Sequence, residues 1–600
     1  PLGPMRGLTH HWLQTESPEE VAPPDLAALT SGGARLEPLV ARVLLARGKR
    51  TAAEIAAFCH PRLTELHDPG LLPDIDKAAT RLLDALNARE PIVIYGDYDV
   101  DGMTATAILF HTMRAIAPDA HISAYVPHRL DEGYGLHVEA ISQLAAEGAR
   151  VIVSVDCGVT AFEPALEARR RGVDLIITDH HNLAGEGDCD EKAAERLPEA
   201  FAVVHPRREG SAYPFPDLCG AAVAFKLAWR MATLAAGGRV SESMRTTLLD
   251  MLALAALGTI ADIVPLVGEN RLIARHGLTR LRSTALPGLA TLIEVSGLAG
   301  ESISAEHVGF WLGPRLNACG RMGHAKEAVE LLTTAPPAEA RRIAMNLTAL
   351  NEERQKTERA IFEQACEMAE KAGMTGPDRR AIVLAHESWH AGVVGIVCSK
   401  LVGRFHRPTL LMQITGDQCH GSGRSIDGFN LHAALSECAP MLERFGGHDM
   451  AAGLAISAAN LDAFTDAFVD VANSRLGSDD LIPSLRFDCP ADVDELTPLA
   501  VQQLASLGPF GRGNPTPRIV VRNVRVARSP ERFGSRGAHA SVHVRAGARE
   551  MRLVGWRWGD RIGAIPGGAS IDAVVEPRLN VWNGRTTVEP VLLDLAVHSA

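Results

Sequence analysis

The chain has little with which to bind metal or staple itself through sulfur. Its ten cysteines are scattered over 600 residues without a single CxxC pair, so neither a zinc ribbon nor a disulfide framework is expected. No unbroken apolar run reaches the ~18 residues a membrane span needs; the longest candidate, MLALAALGTIADIVPLV, is interrupted by Asp262 and Pro265. The opening residues lack the charged-then-apolar pattern of a secretory signal. A reduced, cytoplasmic protein with no membrane segment is the expectation. Nor is the chain basic overall. Its net charge is −12, which excludes a surface that is uniformly a nucleic-acid footprint.

What charge there is lies unevenly. Residues 501–600 hold fourteen Arg, no Lys and seven acidic residues, near +7, which leaves −19 on the first 500. Such asymmetry suggests a polyanion-binding module joined to an acidic body; an Arg-rich surface without that role is the alternative. At 46% hydrophobic and 22% charged the composition is that of a globular protein, and the length suggests about four domains.

Residues 8–75 read as helical and Ala/Leu-rich, broken by prolines, and carry no visible chemistry. From about residue 90, short Val/Ile-rich runs (PIVIYG, HISAYVP, RVIVSV, VDLIIT, AFAVV) alternate with helical segments. That alternation predicts an α/β domain with a parallel sheet covered on both faces. Residues 337–372 predict one helix, opened by Pro337 and stopped at Gly373. At ~1.5 Å per residue it would span roughly 54 Å, a connector between lobes; its apolar positions keep no clean heptad. A second, smaller strand–helix–strand unit follows from 380. A Pro-rich junction, LIPSLRFDCPADVDELTPLA, then leads to several short basic strands, the pattern of a small barrel of the oligonucleotide-binding type. The expected divisions are an N-terminal helical segment (1–75), a catalytic domain (76–325), a connector helix (326–375), a smaller α/β lobe (376–480) and the barrel (481–600).

The strand PIVIYG is followed by Asp97, Asp99 and Asp101, with no basic residue among them. RVIVSV is followed by Asp156, and VDLIIT by Asp179, His180 and His181. In an open parallel sheet the strand C-termini share the ligand-binding edge, so these groups converge; Asp262, after a very apolar helix, adds another. Alone, Asp101 or Asp156 reads as a helix N-cap, and His180 as a buried histidine. As a set, the acids repel unless cations neutralise them. Carboxylates with one imidazole suit Mg²⁺ or Mn²⁺ better than zinc, and the number of acids suggests two ions. Two divalent ions clamp a phosphoryl group, so the residues predict metal-dependent phosphoester hydrolysis.

With YGDYDVDGMT, VPHRLDEGYGL, SVDCG, ITDHH, GTIADIVPL, GPRLNACGRM, WHAGVVGIV, GSGRS, GGHDMAAG, PFGRGNPTP and NVWNG in this order, the chain resembles the DHH phosphoesterase family. Within that family it is similar to the bacterial exonucleases that act on single-stranded DNA. The resemblance implies a DHH lobe, a DHHA1 lobe and an OB-like barrel. It implies metal ligands at Asp99, Asp101, Asp156, His180 and Asp262, with Asp156 bridging and Asp97 a ligand or an acceptor orienting one. Asp179 and His181 match catalytic positions, His181 facing the scissile phosphate. Arg129, Arg315, Asn317, Ser422, Arg424 and His448 match substrate-side positions.

Physical reasons accompany these matches. Arginine binds phosphate bidentately, although Arg129 could equally be a surface ion pair. Glycines around Ser422 and Arg424 would let backbone approach a polyanion. Tyr134 could stack on a base or simply pack. Phe533, Trp556 and Trp582 are stacking candidates in the barrel. The implied activity is 5′ to 3′ hydrolysis of single-stranded DNA to mononucleotides in recombination and repair. The implied partners are a single-strand-binding protein and a RecQ-type helicase, with the enzyme acting as a monomer. An oligonucleotide or cyclic-dinucleotide phosphodiesterase, a small polyphosphate hydrolase and a non-catalytic DNA-binding scaffold are the competing readings. The Arg-rich barrel weighs against the first two and the filled ligand positions against the third.

Overall fold

The computed structural model describes residues 5–15, 36–129, 131–183 and 196–598. The chain divides into two compact units, one of residues 62–357 with 509–514, the other of 1–61, 358–508 and 515–600.

The first unit is built on a five-stranded parallel sheet in the order Ile122–Tyr125, Ile92–Gly96, Val151–Val155, Asp174–Thr178, Ala202–Val204. These are the five strands expected from the Val/Ile runs. Both faces are apolar because both are covered: Ile92 and Ile94 join one buried cluster while Val93 and Tyr95 join another on the opposite face. From Ile92–Gly96 the chain passes first to one neighbour and later to the other. The strand order therefore reverses between Ile92–Gly96 and Val151–Val155, and a crevice opens at their C-terminal ends. Two helices close on that crevice. Val100–Ile116 starts from Asp99, and Glu242–Ala261 runs to Asp262. The latter has the length and hydropathy of a membrane span, contrary to the reading of the shorter apolar run, but 61% of its apolar window is buried in this unit.

The helix Pro337–Lys371 forms as expected and passes from the first unit into the second. There a five-stranded sheet has the order Arg444–Gly447, Ala451–Ser457, Gln418–Arg424, Thr409–Thr415, Ile382–His386. Only its last two strands are parallel. The basic C-terminal strands close on themselves. Ile519–Val526 pairs with Ser570–Glu576, then Val591–Val597, Arg549–Gly555 and His539–Ala546 follow, and the last returns to Ile519–Val526 through Arg525–Arg545 and Val526–Val544. That ring of five is the predicted barrel.

The two ends of this unit differ from the sequence reading. Residues 16–35 lie outside the described residues. The N-terminal segment begins not with helix but with strands Met5–Arg6 and His11–Gln14; helices Pro38–Ala46 and Ala52–Cys59 come later. His11–Gln14 pairs in parallel with Ser484–Phe487, inside the stretch read as a junction. Trp12 is buried against Leu485, Phe487, Val520 and Val574, and its indole N–H donates to Asp594 at 2.9 Å. Backbone N–H groups of Thr9 and His10 also donate to Asp594, which explains how a fully buried carboxylate is tolerated on a barrel strand.

Candidate metal centre

The crevice gathers every acid the strand ends were expected to bring. Asp99 caps the helix Val100–Ile116: its Oδ1 accepts from the N–H of Asp101 at 2.9 Å and of Gly102 at 3.1 Å. The capping role considered for Asp101 thus falls to Asp99. Asp101 is itself held by another helix start, accepting from Gly220 N at 2.6 Å and Ala221 N at 2.8 Å, the positive end of Gly220–Ala235. Asp156 follows its strand with φ +62°, a left-handed conformation unusual for a residue with a Cβ. Such strain is characteristic of functional sites.

The packing leaves no slack. A Cβ on Gly220 would lie 2.5 Å from the Asp156 carboxylate, one on Gly258 2.5 Å from Asp101 Oδ1, and one on Gly102 2.6 Å from Asp97 N. Glycine is required at all three because the carboxylates and their backbone occupy the space.

Ligand-type atoms of Asp97, Asp99 and Asp156 lie within 4.8 Å of one another, as do those of Asp101, His180 and Asp262. His180 Nε2 joins the groups, 3.1 Å from Asp156 Oδ1, 3.6 Å from Asp262 and 3.7 Å from Asp101. Asp156 therefore stands where two adjacent pockets meet. Asp97 Oδ1, Asp156 Oδ1 and His180 Nε2 are buried with no hydrogen-bond partner among the described residues. Three buried, orphaned lone-pair donors are costly unless something positive lies beside them.

Electrostatics agree. Burial and neighbouring carboxylates raise Asp97 and Asp156 well above the ordinary carboxylate range. Burial also raises Asp101 against the pull of His180. Asp262 is pushed up to about 8 by burial, Asp101 and Asp99, with His181 and Arg512 pulling the other way. Burial takes His180 down to about 4 and keeps its ring neutral, as a metal ligand must be. The donor set of carboxylate oxygens and one imidazole fits Mn²⁺ or Mg²⁺.

Asp179 has a different position from the rest. Its Oδ1 accepts from His180 N at 2.7 Å, His181 N at 3.1 Å and His181 Nδ1 at 2.8 Å, and its Oδ2 from Val159 N at 2.9 Å. With its oxygens so committed, it orients the loop rather than offering a free lone pair to a metal. Although burial disfavours the imidazolium, the Asp179 bond lifts His181 to about 9. Two residues the sequence reading missed brace the same loop. His205 donates to His181 O at 2.8 Å, and the Arg207 guanidinium donates to His180 O. Both follow strand Ala202–Val204 at the same sheet edge, so the strand-end argument, carried one strand further, would have found them.

Comparison with known proteins places this geometry. The model of the DHH family N-terminal domain matches residues 91–258, that of the DHHA1 domain 378–474 and that of the RecJ OB domain 487–594. The single-stranded-DNA-specific exonuclease RecJ of Bacillus subtilis (strain 168) is 38% identical over 564 residues, covering 94% of this chain and 68% of that protein. The chain belongs to the RecJ family. The RecJ of Escherichia coli (strain K12) is 35% identical over 81% of this chain and 83% of its own length. The crystal structure of RecJ from Thermus thermophilus in complex with Mn²⁺ superposes with a TM-score of 0.80 at 29% identity, covering 98% of this chain and 80% of that one.

Within this RecJ-type scaffold the other expected site residues distribute between the two units. In the first, the Arg129 guanidinium lies 4.9 Å from the centre of the Tyr98 ring. The Asn317 side-chain oxygen accepts from Val100 N–H at 3.1 Å and so supports the metal loop. Arg315 donates to Trp311 O at 2.7 Å and Thr348 Oγ1 at 3.3 Å. The Tyr134 hydroxyl lies 3.0 Å from His181 Nδ1 and 3.2 Å from Asp156 O, tying that ring to the metal loop, though the residue as a whole is 47% exposed.

In the second unit the residues Gly421 to Arg424 of GSGRS lie in strand Gln418–Arg424. Its glycines are required by packing: a Cβ on Gly421 would strike Met412 at 2.3 Å, and one on Gly423 would strike Leu410 at 2.5 Å. They let the sheet and its neighbours pack. Ser422 and Arg424 both reach Gly395 on helix Ala391–Phe405, whose missing side chain makes room for them. His448 is exposed after strand Arg444–Gly447. On the barrel, Phe533 and Trp556 come together with His539, ring centres 4.8–5.8 Å apart, and Arg552 lies over Phe533. Trp582 is 73% exposed on a separate hairpin, Leu579–Trp582 with Arg585–Val588.

Proposed function

We propose that this protein is a metal-dependent exonuclease that degrades single-stranded DNA from the 5′ end, releasing mononucleotides for recombination and repair. The observation that supports it most directly is the trio of buried, unpartnered atoms on Asp97, Asp156 and His180 at the sheet's switch point. Asp97, Asp99 and Asp156 would hold one Mn²⁺ or Mg²⁺, and Asp101, His180 and Asp262, with Asp156 shared, a second. Such ions, when bound, supply a hydroxide at neutral pH and neutralise charge building on the phosphate.

The chain's own groups do the rest. Asp179 fixes the His181 tautomer by accepting from Nδ1 and favours the imidazolium, so that Nε2–H can donate to a phosphate or leaving-group oxygen. Tyr134, whose hydroxyl donates to Asp156 O, limits where that ring can swing. Arg129 and Arg315 bind phosphates of the strand in the first unit. Paired metals treat any phosphodiester alike, so polarity must come from recognition of one strand end. Ser422, Arg424 and His448 are assigned that role, with Arg424 on the 5′ phosphate. The barrel aromatics Phe533 and Trp556 take bases of the trailing strand by stacking.

Eight of the nine described cysteines are buried free thiols, which supports action in the reducing cytoplasm. A monomer working beside single-strand-binding protein and a RecQ-type helicase completes the reading. The test is digestion of end-labelled single strands, 5′ against 3′, with and without divalent metal. Loss of one charge-assisted phosphate bond costs ~1.5–3 kcal/mol, so Arg424→Ala should cut efficiency about tenfold to a hundredfold on 5′-phosphorylated strands and much less on 5′-hydroxyl strands. Release of label from the 3′ end first, or an equal Arg424→Ala loss on both substrates, would overturn the polarity assignment.

A further inference from the structure

One short segment crosses the division of the chain. Pro509–Asn514 lies in sequence between helix Pro498–Ser506 and the first barrel strand, yet it packs with the first unit. Leu266, four residues after the ligand Asp262, donates its N–H to Arg512 O at 2.7 Å. Gly511 and Asn514 exchange backbone hydrogen bonds at 2.9 and 3.2 Å, and the buried Asn514 amide donates to Pro509 O at 2.8 Å. Gly513, with φ +74°, sits where a Cβ would press on Val267 and Pro265 at 3.1–3.2 Å. These bonds make a tight turn with Arg512 at its corner and a glycine next to it, as a type II turn requires. The backbone of Arg512 is pinned; its side chain is exposed.

That guanidinium has no hydrogen bond or ion pair among the described residues, and its backbone is bonded to the segment that directly follows Asp262. An exposed, unpaired arginine on a turn bonded to the segment after Asp262 is available to an anion that must approach the acidic cluster. Its planar fork matches two phosphate oxygens, and the fixed turn reduces the ordering cost of engaging them. We propose that Arg512 is a further substrate-binding residue, contacting a strand phosphate on the Asp262 side of the metal centre. This inference rests on the exonuclease reading. It makes a residue from the barrel's own sequence part of the cleavage site.

The experiment uses the full chain, 5′-phosphorylated tetrathymidylate and Mn²⁺. Arg512→Ala should lower kcat/KM about tenfold to a hundredfold, the equivalent of one charge-assisted phosphate bond. Arg512→Lys should recover part of it, keeping charge but not the fork. Mn²⁺ affinity, titrated without DNA, should be unchanged in both. Cleavage by Arg512→Ala within twofold of wild type would overturn the proposal. So would a parallel fall in Mn²⁺ affinity, which would make Arg512 a charge partner of Asp262 instead. An equal loss in Arg585→Ala, on the exposed hairpin, would reduce the effect to general charge and overturn it too. A wild-type protein that leaves every single strand intact would overturn the exonuclease reading itself, and the phosphate role with it.

Discussion

Gly220→Ala tests whether the crevice is built around the carboxylates or merely contains them. The added Cβ would stand 2.5 Å from Asp156 Cβ and Oδ1, where ordinary contacts begin at 3.4 Å, so something must move by about 0.9 Å. Gly220 opens a helix whose N–H also holds Asp101, so the helix cannot retreat without loosening a second ligand. The Asp156 side chain yields instead. Metal–ligand distances tolerate about ±0.2 Å, and a 1 Å misplacement at a reacting centre costs roughly 10²-fold. The expected result is at least a tenfold loss in Mn²⁺ affinity and about a hundredfold loss in turnover. Stability should change far less, because alanine gains up to ~1 kcal/mol over glycine in a helix against about 1–3 kcal/mol for overpacking. Calorimetric Mn²⁺ titration, digestion of an end-labelled strand and thermal melting read the three quantities. Gly309→Ala, with nothing within 4 Å of its Cβ, is the control in the same unit. Mn²⁺ affinity and turnover both within threefold of wild type would refute the reasoning.

Asp156→Ala should abolish hydrolysis and leave the melting curve in place, since it removes the carboxylate shared by both pockets; turnover within tenfold of wild type would sink the two-metal assignment. Glu269→Ala should destabilise the first unit by about 3–5 kcal/mol. It strands Lys226, which is fully buried and 2.6 Å from Glu269, and a melting midpoint within 2 °C of wild type would contradict this. Trp556→Ala should weaken binding of a long single strand by about 1–3 kcal/mol without altering cleavage of a tetranucleotide, and filter binding with parallel cleavage assays separates the two.

Legibility followed the range of the interactions. The strands around PIVIYG and RVIVSV could be read because burial on both faces writes itself into five consecutive residues. Their acids could be placed because strand direction alone assigns them to one edge. Asp179 shares the motif with His180, and only the structure shows its oxygens consumed by nearby N–H groups. The alternation Gly421-Ser422-Gly423-Arg424 looks like a flexible loop in one dimension. It is a strand whose glycines answer to Met412 and Leu410, neighbours that local sequence does not reveal. The 481–500 stretch looked like a junction because Leu485 pairs with Trp12, a partner almost the whole chain away.

That last pairing sets a clock on biosynthesis. Trp12 and Asp594 are 582 positions apart, and at about 5–20 residues per second the ribosome needs roughly half a minute to two minutes to make the second after the first. Until Ser484–Phe487 is made, His11–Gln14 lacks its parallel partner strand, and an open strand edge is the kind of surface that recruits foreign strands. The first unit has all of its residues once Asn514 is made; the barrel cannot finish until its last strand, Val591–Val597, has left the exit tunnel.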